Sequence, residues 1–201
     1  MTTNALHHRT GPVHQAASTV PLATAALVGA LSSAAFIAGF ALLADQSPRE
    51  STLSPYTLTV NVLTTLAFAG LAFTIPSLSR VLDAPRWVIN TCAAACAAVA
   101  AMSWSLVTIA AHVASQVSDD EFTEFTTYLE IFPAPKMLLG LVGFTALGIH
   151  GWRRRSVPRG ACVLLVLAGV LSLWWAYPPA TVFAGLAFLW IAKSVDDGAR
   201  D

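Results

Sequence analysis

Charge is the scarcest property of this chain. Asp, Glu, Lys and Arg make up 11% of its 201 residues, against about 25% in a soluble globular domain. With hydrophobic residues at 56%, nothing is left over to build a separate soluble domain. Cysteine is scarce as well: there are three, all inside apolar runs, which excludes a conventional extracellular disulfide framework. Every one of the 11 prolines lies at the edge of an apolar run or outside it. The mid-span Gly or Pro interruptions of many secondary transporters therefore lack their proline form here. No Asp, Glu, Lys or Arg occurs within a run. That argues against proton pumps, carboxylate cation sites and voltage sensors, which need ionisable groups inside the membrane. A Gly-rich phosphate loop, a His-x-x-x-His pair, a nucleophile elbow and a nucleic-acid motif are all missing.

What is present is a series of six apolar runs, at residues 21–44, 58–75, 87–113, 137–151, 161–176 and 180–192. They predict an all-α, polytopic helix bundle with six transmembrane helices. The single membrane domain covers residues 18–193, between a polar leader (1–17) and a short tail (194–201). The first run, at 24 residues, is longer than the roughly 7–15 of a signal peptide, so it reads as a retained span. Ser18 or Thr19 can cap it and Pro21 suits its first turn. Runs four to six have 15, 16 and 13 core residues, below the about 20 that cross a bilayer. Either snorkelling and bilayer thinning rescue them, or runs five and six form a re-entrant hairpin.

Orientation follows from His150-Gly151-Trp152-Arg153-Arg154-Arg155-Ser156-Val157-Pro158-Arg159, which has four arginines between two apolar runs. Short basic loops stay in the cytoplasm. With this one inside, alternation also puts Arg9, Arg80, Arg86, Lys193 and Arg200 inside, and only Arg49 and Lys136 outside, nine of the 11 cations against two. Both termini are then cytoplasmic. Trp87, Trp152 and Trp190 fall near the inner interface, and Tyr56, Trp174, Trp175 and Tyr177 near the outer one.

The stretch from Gly151 through Arg153-Arg154-Arg155-Ser156-Val157-Pro158-Arg159-Gly160-Ala161 to Gly169 resembles a loop that recurs in small multi-span membrane proteins of bacteria, a group of unknown function. The likeness runs from about Leu58 to Ala192. It implies an architecture of about six helices and a bacterial plasma membrane, and it brings no catalytic residue with it.

Few residues offer chemistry. Cys92 and Cys96 are one helical turn apart, and Cys162 enters from the same side, so the three thiols can converge on a soft metal or a redox role. Their alanine-rich surroundings favour simple packing, and no metal or cofactor is predicted. His112 and His150 lie at opposite interfaces, too far apart to share one metal. Asn61 and His112 can pair between helices in the outer half. Asp119 and Asp120 can cap a short helix on which Phe122, Phe125, Leu129 and Phe132 recur on one side. It reads as an amphipathic outer helix between spans three and four, ended by Pro133, that either plugs the bundle or docks a partner. Arg153, Arg154, Arg155 and Arg159 anchor the topology and can contact anionic lipids.

The leading functional expectation is a non-enzymatic accessory or partner-binding plasma-membrane protein. Its partners would be the lipid bilayer, a second copy or another membrane protein, and no nucleic acid. The alternative is a small transporter or channel for an uncharged or lipidic solute. That reading requires polar residues such as Ser32, Asn61, Thr65, Ser103 and Thr108 to converge. A third is a membrane enzyme or thiol site built on the cysteines.

Overall fold

A computed structural model describes residues 19–79, 81–129, 134–173 and 178–198. Among them there is no strand. The helices are α1 (Val20–Leu42), α2 (Pro48–Leu53), α3 (Pro55–Thr74), α4 (Arg86–Ser105), α5 (Ala111–Gln116), α6 (Asp119–Leu129), α7 (Ala134–Arg154), α8 (Arg159–Leu171) and α9 (Pro178–Gly198). A 3-10 segment, Ile75–Ser79, prolongs α3, and a π turn, Leu106–Ala110, joins α4 to α5. Each of the six apolar runs overlaps one helical rod, the fifth only as far as Leu171. Three of these, Val20–Leu42, Pro55–Ser79 and Arg86–Gln116, are long and apolar enough to cross a membrane. The leader 1–17, Arg80, Phe132, Pro133, Tyr177 and Arg200 lie outside the described residues.

The ends of the helices follow local chemistry. Pro21 sits in the first turn of α1 and Thr19 is its N-cap, but the Thr19 side chain makes no capping bond. Pro48 and Pro55 open α2 and α3, where a missing N–H costs nothing. Pro76 does not stop the third helix outright. The α-helix ends at Thr74 and the chain continues as the tighter 3-10 coil. The supposed polar loop after α1 contains α2, whose Ser47 and Glu50 form a reciprocal capping box. At its other end α7 finishes on Arg155, which takes the left-handed backbone (φ 55°) common just past a helix.

The six long helices pack in chain order, α1 on α3, α3 on α4, α4 on α7, α7 on α8 and α8 on α9, and α9 returns to α1. The bundle is thus a closed ring. α2, α5 and α6 pack on one another at one end, here termed the capped end. The turn bearing Arg153–Arg159 marks the opposite, basic end. There the His150 ring nitrogen lies 2.8 Å from the carbonyl of Asp83, itself left-handed at φ 45°, and so pins the turn before α4 to the end of α7.

The core is uneven along this axis. The largest fully buried side chains of the six helices, Phe68, Leu71, Ile75, Phe144, Leu165 and Phe188 among them, fill the basic half. Phe144 and Phe188 meet edge to face, with ring centroids 6.4 Å apart. Large apolar side chains also point outward from every one of the six: Leu31, Leu66, Trp104, Val142, Val163 and Leu186 are examples. Small residues let the rods approach. At Gly143 a side-chain carbon would sit 2.8 Å from the Thr91 carbonyl oxygen and 2.9 Å from the Cys92 backbone, so α4 and α7 touch backbone to backbone there.

Candidate functional site

Above the aromatic plug the buried residues change character. Ser32 and Ser33 on α1, Asn61 and Thr64 on α3, Ser103 on α4, Lys136 on α7, Ser172 on α8 and Thr181 on α9 are all buried. One or two polar groups thus come from each of the six rods. Their depths follow from contacts between neighbours. The Ser32 and Thr64 hydroxyls lie 2.9 Å apart, and the Thr65 hydroxyl is 3.5 Å from the Ala100 carbonyl. Gly143 abuts Cys92, Gly140 abuts Ser172, and Gly185 abuts Ala26 and Ala30. At about 1.5 Å of rise per residue, these registers put seven of the eight within a band about 8 Å deep, with Ser172 about 6 Å nearer the basic end.

Some of these groups are satisfied locally. Thr64 donates to the Val60 carbonyl (2.9 Å), Ser32 to Gly29 (3.2 Å) and Ser172 to Ala168 (2.8 Å), the back-bonds that let hydroxyls live inside helices. Asn61 Nδ2 donates to Thr57 at 2.9 Å. Two acceptors are left over. Asn61 Oδ1 and Ser33 Oγ, on residues 1% and 2% exposed, have no hydrogen-bond partner among the described residues. Buried oxygens in this state cost about 1–3 kcal/mol each; Thr145 Oγ1 and Ser156 Oγ, toward the basic end, also lack a partner among the described residues. Lys136, 3% exposed, supplies the one buried cation among the described residues. The π turn Leu106–Ala110 begins three residues above Ser103, and such wide turns recur at functional sites.

The cap packs at the same end of the bundle as this band. Arg49 Nε on α2 donates to the Ala114 carbonyl of α5 at 2.6 Å, and its guanidinium lies 3.7 Å from the Asp119 carboxylate of α6. α6 tucks Phe122 inward to 1% exposure, with Phe125 half-buried 6.0 Å away. Its start is held by Ser118 and not by Asp119 or Asp120. Glu121 accepts from the Ser118 backbone N–H (2.9 Å) and hydroxyl (2.8 Å). Those two bonds, the backbone one first, hold the Glu121 carboxyl below its ordinary value. The expected amphipathic helix is therefore present as α6, with one side folded onto α2 and α5. The Leu129 side chain is outside the described residues.

The remaining expectations fare differently. Cys92, Cys96 and Cys162 are all buried and free, but they do not converge. α7 stands between them: Cys92 backs onto Gly143, and Cys162 onto Gly148 and Gly151, about 7 Å or more further along the helix. Among the described residues no three His, Cys, Asp or Glu side chains group to hold a metal. The Asn61–His112 pair does not form, because His112 is exposed while Asn61 faces inward. Of the five polar residues expected to converge, Ser32, Asn61 and Ser103 are buried, Thr65 is half-buried and Thr108 is exposed. Lys136 was missed, being counted as an outer-loop cation. Thr64, Ser172 and Thr181 were missed too, although Thr64 adjoins Thr65, already singled out; Ser33 has a sequence signal only as a small packing residue. At the basic end, the Arg159 guanidinium lies 5.6 Å from the centre of the Trp152 ring, a cation–π contact. Arg153, Arg154 and Arg155 are exposed beside it.

No family model matches the chain, and neither the curated proteins nor the solved structures yield a match.

Proposed function

We propose that this is a multi-pass membrane protein whose six long helices all cross the bilayer, with both ends in the cytoplasm. We also propose that it receives a small polar or amphiphilic solute from the capped, outer side. The observation that carries this is the polar band. Five of the six rods each bring a buried Ser, Thr, Asn or Lys to nearly one depth, with Ser172 of the sixth nearer the basic end, and two oxygens in the band await a donor. A packing core gains nothing from such a layer, since unsatisfied oxygens destabilise it. A solute site needs convergent polar groups of this kind.

The crossing of all six rods is supported by three features. Each rod carries outward-facing Leu, Val, Phe or Trp. α7 and α9, at 21 residues each, are longer than their apolar runs, because charged ends extend them. Gly160 on α8 abuts the Trp190 ring on α9, so α9 returns to the basic end alongside α8. The nine-to-two split of the 11 cations favours the basic end as cytoplasmic.

The test needs no identified solute. In a chain whose native cysteines are replaced by alanine, Ser33→Cys, Ser103→Cys and Phe144→Cys are exposed one at a time to a small, charged, membrane-impermeant thiol reagent from outside. Modification of the first two but not the third is the expected result. Equal inertness of all three would remove the solute site, and modification only from inside would invert the topology.

An accessory role remains the second reading, favoured by one feature. A cleft of about 410 Å³ between α3 and α4 is walled by Ala69, Ala72, Ala93, Ala94 and Ala97, which would let another helix approach closely.

A further inference from the structure

We propose that the basic end carries a binding site for one acidic phospholipid, seated between α7 and α8. A cleft of about 360 Å³ opens there on the outer surface of the ring, walled by Ile149, Trp152, Val163, Val166 and Leu167 and ending at Arg153. Its floor is sealed. A side-chain carbon on Gly148 would lie 2.8 Å from the Cys162 carbonyl and 2.9 Å from a Val166 methyl, so the two helices are in contact beneath it. The cleft therefore leads nowhere inside the protein, and its occupant comes from the side. Its walls are apolar along their length and charged only at the tip. That is the profile of an acyl chain with an anionic head.

The head would meet more than Arg153. Trp152 forms one wall and holds the Arg159 guanidinium 5.6 Å over its ring, which brings a second cation to the same rim. Arg154 and Arg155 are exposed on the same turn. Among the described residues none of these four is paired with a carboxylate; the salt bridge found, Arg49–Asp119, is at the opposite end. Guanidinium groups bind phosphate oxygens through paired N–H donors. Unneutralised arginines at the mouth of an apolar cleft thus select a headgroup with net negative charge over one whose phosphate carries its own ammonium. A peptide is a poorer fit, because the walls offer its backbone no hydrogen-bond partner. The inference stands on the geometry of this end and does not depend on the polar band.

The experiment uses the full chain, purified in an uncharged detergent and mixed with equal amounts of phosphatidylglycerol and phosphatidylcholine. Native mass spectrometry then counts one-lipid adducts. Two well-placed arginines predict a preference for phosphatidylglycerol of about tenfold or more. Arg153→Gln with Arg159→Gln should erase the preference while leaving phosphatidylcholine binding unchanged. Val163→Trp, which fills the cleft from one wall, should reduce both lipids together. Inorganic phosphate at millimolar concentration should not compete, since it lacks the chain that the cleft holds. Equal binding of the two lipids by the unaltered protein would overturn the proposal. So would a preference that survives the double arginine substitution, or full competition by phosphate. A thermal melt of each variant without lipid separates lost binding from lost folding.

Discussion

Asn61→Leu should make this protein more stable and less able to work. The side chain is 1% exposed, its Oδ1 has no partner, and its Nδ2 reaches only the Thr57 carbonyl one turn back. Leucine has nearly the same bulk, so no large cavity opens. The Thr57 carbonyl stays inside the helix, so the lost donor costs little. What disappears is a buried acceptor without a donor, worth about 1–3 kcal/mol. For a chain of this length that raises Tm by a few degrees to about ten. The assay is a thermal melt in a single detergent, paired with the rate at which Ser103→Cys is modified from the outer side. Tm should rise and the modification rate should fall in Asn61→Leu, because an apolar group now occupies the band. The trade is the one expected where a site holds groups unsatisfied for a ligand. A drop of more than about 1 kcal/mol would refute the reasoning, since it would mean that Oδ1 is already held by a structural partner.

Two further predictions concern the frame around that band. Gly143→Ala must push α4 and α7 apart, since its new carbon meets backbone atoms at 2.8–2.9 Å that cannot rotate away. A loss of about 1–3 kcal/mol is expected, whereas Gly70→Ala, meeting only the Ala25 methyl at 3.2 Å, should be near neutral in the same melt. The start of α6 should loosen in acid. The Glu121 carboxyl is held below its ordinary 4.5 by Ser118. Its contribution is therefore complete above that value and is lost as pH falls through the lower folded one. Hydrogen exchange over residues 119–129, corrected for intrinsic rates, should show protection falling below about pH 4.5, and Glu121→Gln should remove that pH dependence.

The apolar runs made the six rods legible because a helix in lipid needs a continuous apolar surface and little else. Their ends were harder. Span four was cut at Met137 because Lys136 is charged, yet α7 starts at Ala134 and carries the lysine inward. α2 carried a readable Ser47-x-x-Glu50 signature, but the stretch looked polar enough to be a loop. Three of the eight buried polar residues, Ser32, Asn61 and Ser103, were anticipated. Thr108 failed because it lies five residues from Ser103, about 140° around an α-helix, so it faces outward while Val99, Ser103, Ala110 and Ala114 face in. The thiols failed for a topological reason. Alternation puts Cys92 and Cys162 on the same side of the membrane but cannot show that a third helix is threaded between them.

One dimension of the ring bears on how a solute would get in. α8 has 13 residues, a rod about 20 Å long between α7 and α9, which have 21 residues each. In the six-span arrangement the hydrocarbon beside it, nominally about 30 Å thick, must be pinched on that flank, and headgroups and water follow it downward. The rampart around the polar band is then lowest at Ser172.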